Sequence, residues 1–221
     1  MNSKGLKLDM LRTRVKICGI TREQDAAAAV QAGVDALGLV FYPKSPRHVA
    51  LEQAHRIAGA VAPFVTVTGL FVNAPADLVR QVLAVVPLGL LQFHGQESNQ
   101  DCNCFGLPFI KSIPMRSETD LSSLLSEYPD AAGFLLDAWQ PETHGGGGVA
   151  FDWQQVPEEL HVPIILAGGL TPGNVASAIR SVKPYAVDVS TGVESEKGIK
   201  SREKIEAFMR EVRNSEARTG S

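Results

Sequence analysis

The sequence predicts an α/β protein that folds as a single (βα)8 TIM barrel, and three observations support this. Short β-rich segments alternate with helical patterns at intervals of about two dozen residues, as in repeated βα units around a parallel sheet. Eight such units can be counted in 221 residues with 44% hydrophobic content, enough for one substantial core. An open doubly wound sheet would usually use fewer strands and place a Gly-rich turn after the first, whereas the Gly-rich turns here come late.

The eight predicted strands are short and mostly apolar, as expected for strands covered by helices. They begin near Val15, Ala36, Val65, Leu88, Pro108, Ala132, Val162 and Tyr185. Amphipathic stretches between them predict helices from Glu23 to Gln31, Leu51 to Ala60, Ala76 to Val85, Asp120 to Glu127, Pro172 to Ser181 and Arg202 to Val212, with a weaker pattern around Ser98 to Cys104. The predicted N-caps are Thr21, in a capping box with Gln24, and Ser117, Thr171 and Ser201.

The sequence predicts one domain, a catalytic (βα)8 barrel of residues 14–213. It lies between an N-terminal extension of residues 1–13 and a polar C-terminal tail of residues 214–221. A formal charge of −3 gives no electrostatic reason to expect nucleic acid or an anionic membrane, so a small molecule is the expected partner. Three cysteines and no signal-type segment predict a reduced, cytoplasmic protein. Cys102 and Cys104 lack further ligands at metal-binding spacing, and no metal site is predicted. No decisive apolar stripe predicts an oligomer, and a monomer is favoured over a homodimer.

Cys18 and Asp137 each stand where an apolar strand ends, which places them at the same rim of a barrel. Asp137 can act as a general acid if partial burial raises its pKa, or it can simply cap a loop. Cys18 can act as a base only if something stabilises its thiolate, because an ordinary thiol is mostly protonated at neutral pH.

Gly168, Gly169 and Gly192 follow the seventh and eighth strands, whose loops often bind phosphate in such barrels. A phosphate needs close backbone approach and inward-pointing N–H groups, which glycine allows. Either glycine turn alone could merely be a tight connection, but two at consecutive strand ends favour a phosphate site. Arg47, in a proline-stiffened loop after strand two, is a candidate carboxylate clamp because its planar fork matches a carboxylate, although it could also be a surface arginine.

Side chains two apart on a strand share a face, so Lys16 should point into the barrel with Cys18, and Asp188 with Ser190. Strands one and eight are neighbours in a closed barrel, so we expect a buried Lys16–Asp188 ion pair beneath the thiol, and Lys16 to lower the thiol pKa. Gln92 and His94 point inward on strand four by the same alternation. They either hydrogen-bond a ligand or line the floor of the barrel.

Six ordered motifs together resemble the phosphoribosylanthranilate isomerase family of tryptophan biosynthesis. They are Lys16-Ile17-Cys18-Gly19-Ile20-Thr21, Ser45-Pro46-Arg47, Gln92-Phe93-His94-Gly95, Leu136-Asp137, Ala167-Gly168-Gly169-Leu170 and the run Asp188 to Glu194, and the likeness extends from about Val15 to Phe208. The resemblance implies a (βα)8 barrel that performs an Amadori rearrangement of a phosphoribosyl aminobenzoate without metal or organic cofactor.

The resemblance also implies residue roles. Asp137 would be the general acid on the ribose ring oxygen, and Cys18 the general base at C2′. Arg47 would bind the anthranilate carboxylate, and backbone groups around Gly168, Gly169, Ser190 and Gly192 would bind the phosphate.

This sequence departs from the family pattern in three places. The run Gly145-Gly146-Gly147-Gly148 replaces a Gly-Gly-Thr-Gly, so we expect residues 138–148 to form a flexible lid over the site. Ser201 replaces an aspartate, and Ser190-Thr191 replaces a Ser-Ser.

Two alternative functions are weighed against the isomerase. An indole-glycerol-phosphate synthase would carry additional catalytic lysine and glutamate positions, which are not found. A metabolite sensor would need the anion-binding groups but not the acid and the base.

Overall fold

The eight strands of this computed structural model, which describes residues 12–138, 151–157 and 160–217, close into one parallel barrel. Each strand pairs with its neighbours in the sequence, and the first pairs with the last. The strands are β1 Arg14–Cys18, β2 Ala36–Val40, β3 Thr66–Phe71, β4 Leu90–Phe93, β5 Phe109–Met115, β6 Gly133–Ala138, β7 Ile164–Leu166 and β8 Ala186–Val189. The predicted barrel is confirmed, and every strand begins within two residues of its predicted start.

In the described residues seven α-helices surround the barrel: α1 Glu23–Ala32, α2 Leu51–Gly59, α3 Ala76–Val85, α4 Asn99–Cys102, α5 Leu121–Ser126, α6 Val175–Val182 and α7 Arg202–Ala217. In the described part of the sixth unit a short 3-10 helix, Trp153–Gln155, precedes β7. The last helix continues past Asn214, where the polar tail was expected to begin. No helix in the described ranges is long and apolar enough to cross a membrane.

The loop after β8 contains structure that the sequence pattern did not predict. A 3-10 helix, Thr191–Val193, leads into a two-stranded antiparallel hairpin formed by β9 Glu194–Glu196 and β10 Ile199–Lys200. Thr21 donates its hydroxyl proton to the carbonyl of Gly198 in this hairpin, over 2.5 Å. The hairpin is therefore tied to the loop between β1 and α1.

This use of Thr21 explains why the predicted capping box at α1 is wrong. The N-cap residue of α1 is Arg22, and no side chain caps it. The prediction for Ser117 is also wrong, because Asp120 caps α5 by accepting a hydrogen bond from Ser123.

The two remaining cap predictions have different outcomes. At α6 the N-cap residue is Asn174 rather than Thr171, whose hydroxyl instead accepts a hydrogen bond from the N–H of Gly173. Ser201 does cap α7, because its hydroxyl accepts the N–H of Lys204.

The barrel has an apolar shell outside its strands, and its interior contains an apolar cluster and a layer of polar side chains. Outward-facing residues such as Ile17, Leu37 and Val187 are fully buried under the helices, each contributing about 1.5–3 kcal/mol. Inside, an apolar cluster is formed by Ile110, Leu135, Ile165, Ala167 and Ala186. Polar groups including Lys16, Gln92, Ser112 and Asp188 are also buried within the sheet. This polar layer lies towards the carboxyl ends of the strands, where it can support a binding site.

Candidate active site

A pocket opens at the carboxyl ends of the barrel strands, with about 700 Å³ of empty space including its mouth. Its lining includes nine of the predicted site residues: Cys18, Arg47, Gln92, His94, Asp137, Gly168, Gly169, Asp188 and Ser190. Lys16 and Gly192 lie outside this lining. Cys18 and Asp137, which come from β1 and β6, therefore share one pocket.

Cys18 is held in a closely packed position at the end of β1. Its side chain is buried, and a β-carbon on the neighbouring Gly38 would come within 2.8 Å of the thiol sulfur. Burial raises the pKa of the Cys18 thiol, and the charge of nearby Asp188 adds to this effect. Lys16 and Lys200 act in the opposite direction but do not reverse the shift. The expected effect of Lys16 is thus present, while the thiol of the free protein stays harder to ionise than an ordinary one.

The predicted ion pair between Lys16 and Asp188 is confirmed. Lys16 Nζ lies 2.8 Å from Asp188 Oδ1, and the two side chains are 6% and 9% exposed. The two residues are direct partners in the register of β1 and β8. Burial works to lower the pKa of Lys16, but the charge of Asp188 and its hydrogen bond outweigh burial and raise that pKa. Lys16 is therefore a fixed cation beneath the thiol.

Asp137 is joined to the floor of the pocket through His94. His94 Nε2 lies 3.3 Å from Asp137 Oδ2, and Nδ1 lies 2.9 Å from the hydroxyl of Ser112 and 3.3 Å from Gln92 Nε2. With the Gln92 amide in this orientation its N–H can donate to Nδ1, which places the ring proton on Nε2, the nitrogen that faces Asp137. Gln92 Oε1 is buried, and no partner is found for it among the described residues. Gln92 lines the pocket, but this acceptor oxygen is shielded from solvent, so both alternatives for Gln92 stay open.

Arg47 reaches the pocket, but its guanidinium is already held by a residue that the sequence pattern did not predict. Arg47 Nε and an Nη2 hydrogen bind the two carboxylate oxygens of Glu194, each over 2.7 Å. Lys200 Nζ binds the same carboxylate over 2.8 Å and also donates to the carbonyl and the hydroxyl of Ser190. Glu194 and Lys200 lie on the hairpin after β8. Most other candidates were identified because they stand at the end of an apolar barrel strand, and neither of these two residues does.

Two of the predicted phosphate-binding glycines line the pocket in left-handed conformations. Gly168 has φ of +78° and Gly169 has φ of +66°. A β-carbon on Gly168 would lie 2.4 Å from the backbone nitrogen of Ala138. Gly192 needs to be glycine for a different reason, because its β-carbon would lie 1.9 Å from the carbonyl oxygen of Leu170. At Gly192, close packing of the loop explains the glycine without a ligand.

The predicted lid falls almost entirely outside the described residues. Of residues 138–148 the structure describes only Ala138, the last residue of β6. Across the described ranges no group of three or more His, Cys, Asp and Glu side chains is placed to hold a metal ion.

Comparison with known proteins decides the family. Residues 15–211 match the family model described as N-(5′-phosphoribosyl)anthranilate (PRA) isomerase. The chain belongs to this family. PRA isomerase of Azotobacter vinelandii is 56% identical over 205 residues, covering 93% of this chain and all of that protein. PRA isomerase of Nitrosococcus oceani is 54% identical over 202 residues, covering 91% and 98%.

Solved PRA isomerase structures agree with this assignment. The Thermotoga maritima structure has a TM-score of 0.84 at 40% identity, covering 91% of this chain and 99% of that chain. A second structure, a complex with reduced 1-(o-carboxyphenylamino)-1-deoxyribulose 5-phosphate, has a TM-score of 0.81 at 38% identity and the same coverage. The predicted family, barrel and enzyme class are confirmed, and the chain is a PRA isomerase of tryptophan biosynthesis.

Proposed function

We propose that Asp137 and Cys18 carry out an Amadori rearrangement of N-(5′-phosphoribosyl)anthranilate to 1-(2-carboxyphenylamino)-1-deoxyribulose 5-phosphate. The observation that carries this assignment is that a carboxyl group and a thiol from β6 and β1 open into one pocket. A relative 38% identical to this chain binds the reduced form of that product, which supports a phosphorylated substrate of this shape. The protein needs no metal or organic cofactor in this scheme, because the substrate's own nitrogen acts as the electron sink.

In the first step Asp137 gives its proton to the ribose ring oxygen. The C1′–O4′ bond breaks, O4′ becomes a hydroxyl, and the nitrogen lone pair forms a C1′=N⁺ iminium. The proton on His94 Nε2 can stabilise the Asp137 carboxylate that results, across the 3.3 Å contact. His94 is itself held by Ser112 and Gln92, so this donor is already oriented before the reaction.

In the second step the Cys18 thiolate removes the proton from C2′. The C2′–H electron pair becomes the C1′=C2′ bond, and the nitrogen becomes neutral. The enolamine then gains a proton at C1′ and loses its C2′ hydroxyl proton to give the ketose. Burial raises the pKa of the free thiol, but the iminium brings a positive charge beside it and favours the thiolate when the base is needed.

The two ends of the substrate are anionic, and the pocket offers separate groups for them. Arg47 supplies donors for the anthranilate carboxylate, and Gln92 lines the pocket beside it. Backbone groups at Gly168 and Gly169 and at Ser190 to Gly192 hold the phosphate. Fixing the substrate at both ends orients C2′ and the ring oxygen between the base and the acid.

Substitution of the acid and the base tests this assignment. Purified protein is mixed with N-(5′-phosphoribosyl)anthranilate, whose fluorescence falls as it is converted. Cys18→Ala and Asp137→Asn should each lower kcat by about 10²–10⁴-fold while the reduced product still binds, because each group moves a proton but does not anchor the ligand. Cys104→Ser, at an exposed cysteine, is the matched control and should leave turnover unchanged.

Two results would reject this function. Near-normal kcat in Cys18→Ala or Asp137→Asn would remove the assigned roles. A wild-type protein that binds the reduced product but never converts the substrate would instead be a sensor.

We also propose that the barrel from residue 14 to the end of α7 forms the catalytic domain, and that the protein is a cytoplasmic monomer. The monomer is supported by a sequence without a decisive apolar stripe, whereas the fully exposed Phe64 offers an apolar contact for a homodimer. Sedimentation velocity at several concentrations distinguishes the two states, and a species of twice the chain mass would reject the monomer.

A further inference from the structure

The carboxylate of Glu194 joins two cations at the edge of the pocket. Its Oε1 accepts from Arg47 Nε and Lys200 Nζ, and its Oε2 accepts from Arg47 Nη2. The three side chains are 7%, 12% and 0% exposed for Glu194, Arg47 and Lys200. Arg47 and Lys200 are separated from each other in the sequence, so this junction exists only in the folded protein.

Glu194 occupies one edge of the Arg47 guanidinium and leaves the other edge available. A guanidinium has five N–H donors, one on Nε and two on each Nη nitrogen. Glu194 takes the donor on Nε and one on Nη2. No second acceptor for the Arg47 guanidinium is found within residues 12–138, 151–157 and 160–217. The Nη1–Nη2 edge, which is the edge that binds a carboxylate end-on with two donors, thus stays available.

The backbone of the hairpin that carries Glu194 is held in place by two charged side chains. Lys204 Nζ donates to the carbonyl of Glu194 over 2.6 Å, and the N–H of Lys200 donates to Asp25 over 3.1 Å. The stem of Arg47 packs over Gly19, where an added β-carbon would come within 2.6 Å of Arg47 Cδ. Arg47 is therefore confined between a backbone turn below it and a fixed carboxylate beside it.

The charges of this cluster do not balance without a ligand. Arg47 and Lys200 are two basic groups against the one carboxylate of Glu194, all largely buried, and burial holds the pKa of Lys200 below its ordinary value although Glu194 opposes that effect. Burial works to raise the pKa of Glu194, but Arg47 and Lys200 outweigh it and hold that pKa below its ordinary value. A bound carboxylate would bring the second negative charge, and it would do so beside the available guanidinium edge.

We propose that Glu194 is a positioning residue for substrate recognition: it holds Arg47 by its Nε–Nη2 edge so that the opposite edge faces the substrate's aromatic carboxylate. Lys200 supports Glu194 and also holds Ser190, so one buried cation links the carboxylate-binding arginine to the phosphate loop. Glu194 does not line the pocket, so it acts through Arg47 rather than on the substrate. This inference rests on the proposed function, which gives the substrate both anionic groups.

The test compares two ligands that differ only in the aromatic carboxylate. One is reduced 1-(2-carboxyphenylamino)-1-deoxyribulose 5-phosphate, and the other is the same compound with a phenyl ring that has no carboxyl group. Isothermal titration gives both Kd values for wild type, Glu194→Gln, Glu194→Asp and the control Glu196→Gln, whose side chain is exposed on the same short strand. Wild type and Glu196→Gln should bind the carboxylated ligand at least about tenfold more tightly than the other.

In Glu194→Gln the ratio of the two Kd values should fall to about threefold or less, while Kd for the ligand without the carboxyl group stays as in wild type. In turnover KM should rise about tenfold and kcat should fall far less than in Asp137→Asn, because the phosphate end still holds the substrate and the acid and base are untouched. A generally loosened pocket would instead weaken both ligands and lower kcat. Glu194→Asp keeps the charge on a shorter side chain and should retain part of the preference.

The preference for the carboxylated ligand, measured as the ratio of the two Kd values, decides whether the inference holds. A full wild-type preference in Glu194→Gln overturns the inference, even if the variant is less stable. If Glu194→Gln does not fold because it leaves two buried cations, Glu194→Asp decides: a reduced preference supports the positioning role and an unchanged one rejects it. A wild-type protein without any preference overturns the proposed role of Arg47 and this inference with it.

Discussion

Removal of the Lys16 charge should destabilise the whole barrel. Lys16→Met leaves Asp188 as a buried carboxylate without the ammonium that now lies 2.8 Å away, at a site where both side chains are less than a tenth exposed. Breaking one partner of such a buried pair costs about 3–5 kcal/mol, a large share of the roughly 5–15 kcal/mol that stabilises an ordinary protein. At about 2–4 °C for each kcal/mol in a chain of this size, Tm should fall by about 6–20 °C.

Urea unfolding at pH 7 measures this change, and a double substitution tests its cause. Lys16→Met/Asp188→Asn removes both charges and should recover most of the stability, because the cost comes from the unpaired charge rather than from lost packing. Arg202→Met is the control, since it breaks an exposed pair with Glu206 and should change stability much less. The reasoning is refuted if Lys16→Met costs less than about 1 kcal/mol, or if the double variant is no more stable than the single one.

The same substitution separates the electrostatic role of Lys16 from its structural one. Burial raises the pKa of the Cys18 thiol and Lys16 partly offsets that effect, so the thiol pKa should rise further in Lys16→Met. Thiolate absorbance is followed against pH in a background where Cys102 and Cys104 are serine. An unchanged thiol pKa would show that Lys16 has no effect on the base.

Three further predictions follow from the pKa directions and the glycine geometry. Because the pKa of the Cys18 thiol is raised and the thiolate is the base, kcat/KM should climb with pH through neutrality, and a plateau already reached at pH 6 would contradict this. Gly168→Ala should impair folding and substrate binding, because its β-carbon would lie 2.4 Å from Ala138 N at a φ of +78°. In the control Gly59→Ala the new β-carbon meets nothing within 4 Å, so this variant should be as stable as wild type or more stable by up to about 1 kcal/mol. Equal melting temperatures and KM values for the two variants would reject the argument. The pKa of Glu194 is lowered in the folded protein, so its ionised carboxylate contributes fully to stability above its ordinary pKa of 4.5, and this contribution is lost as pH falls through the pKa in the folded protein. Between pH 6 and pH 3 the free energy of unfolding, measured in urea, should therefore decrease less in Glu194→Gln than in wild type.

Periodicity in the sequence was sufficient to predict the barrel and the residues that its strands carry. Short apolar segments identified the strands, because most residues on the outer face of the barrel are buried beneath the elements that surround it; Lys111 on β5 is an exception that pairs with Glu97. The alternation along β1 and β8 then placed Lys16 opposite Asp188, and their observed register is a direct pair. The same alternation directed Gln92 and His94 towards the pocket that they line. These predictions needed only the two-residue repeat of a strand and closure of the barrel.

The helix caps could not be predicted in the same way, because a hydroxyl has competing partners once the chain is folded. Thr21 has the residue type and spacing of a cap, but its hydroxyl donates to Gly198 instead. That partner is 177 residues away, in a hairpin that has no apolar alternation of its own. Local propensity is a weak guide wherever such a distant acceptor is available.

The residues that were found only in the structure differ in kind from those that the sequence predicted. Cys18 and Asp137, which move protons in the proposed reaction, lie on barrel strands whose positions are fixed by the ladder of hydrogen bonds. Glu194, which only the structure revealed, lies on β9, 147 residues from the predicted Arg47 in the loop after β2, and this buried carboxylate between two cations orients the arginine. Substitutions on the strands should therefore change kcat, whereas substitutions in the loop cluster should change KM, because the two sets are held by separate interactions. A variant of Glu194 that lowered kcat as strongly as Asp137→Asn, with KM unchanged, would show that this separation is wrong.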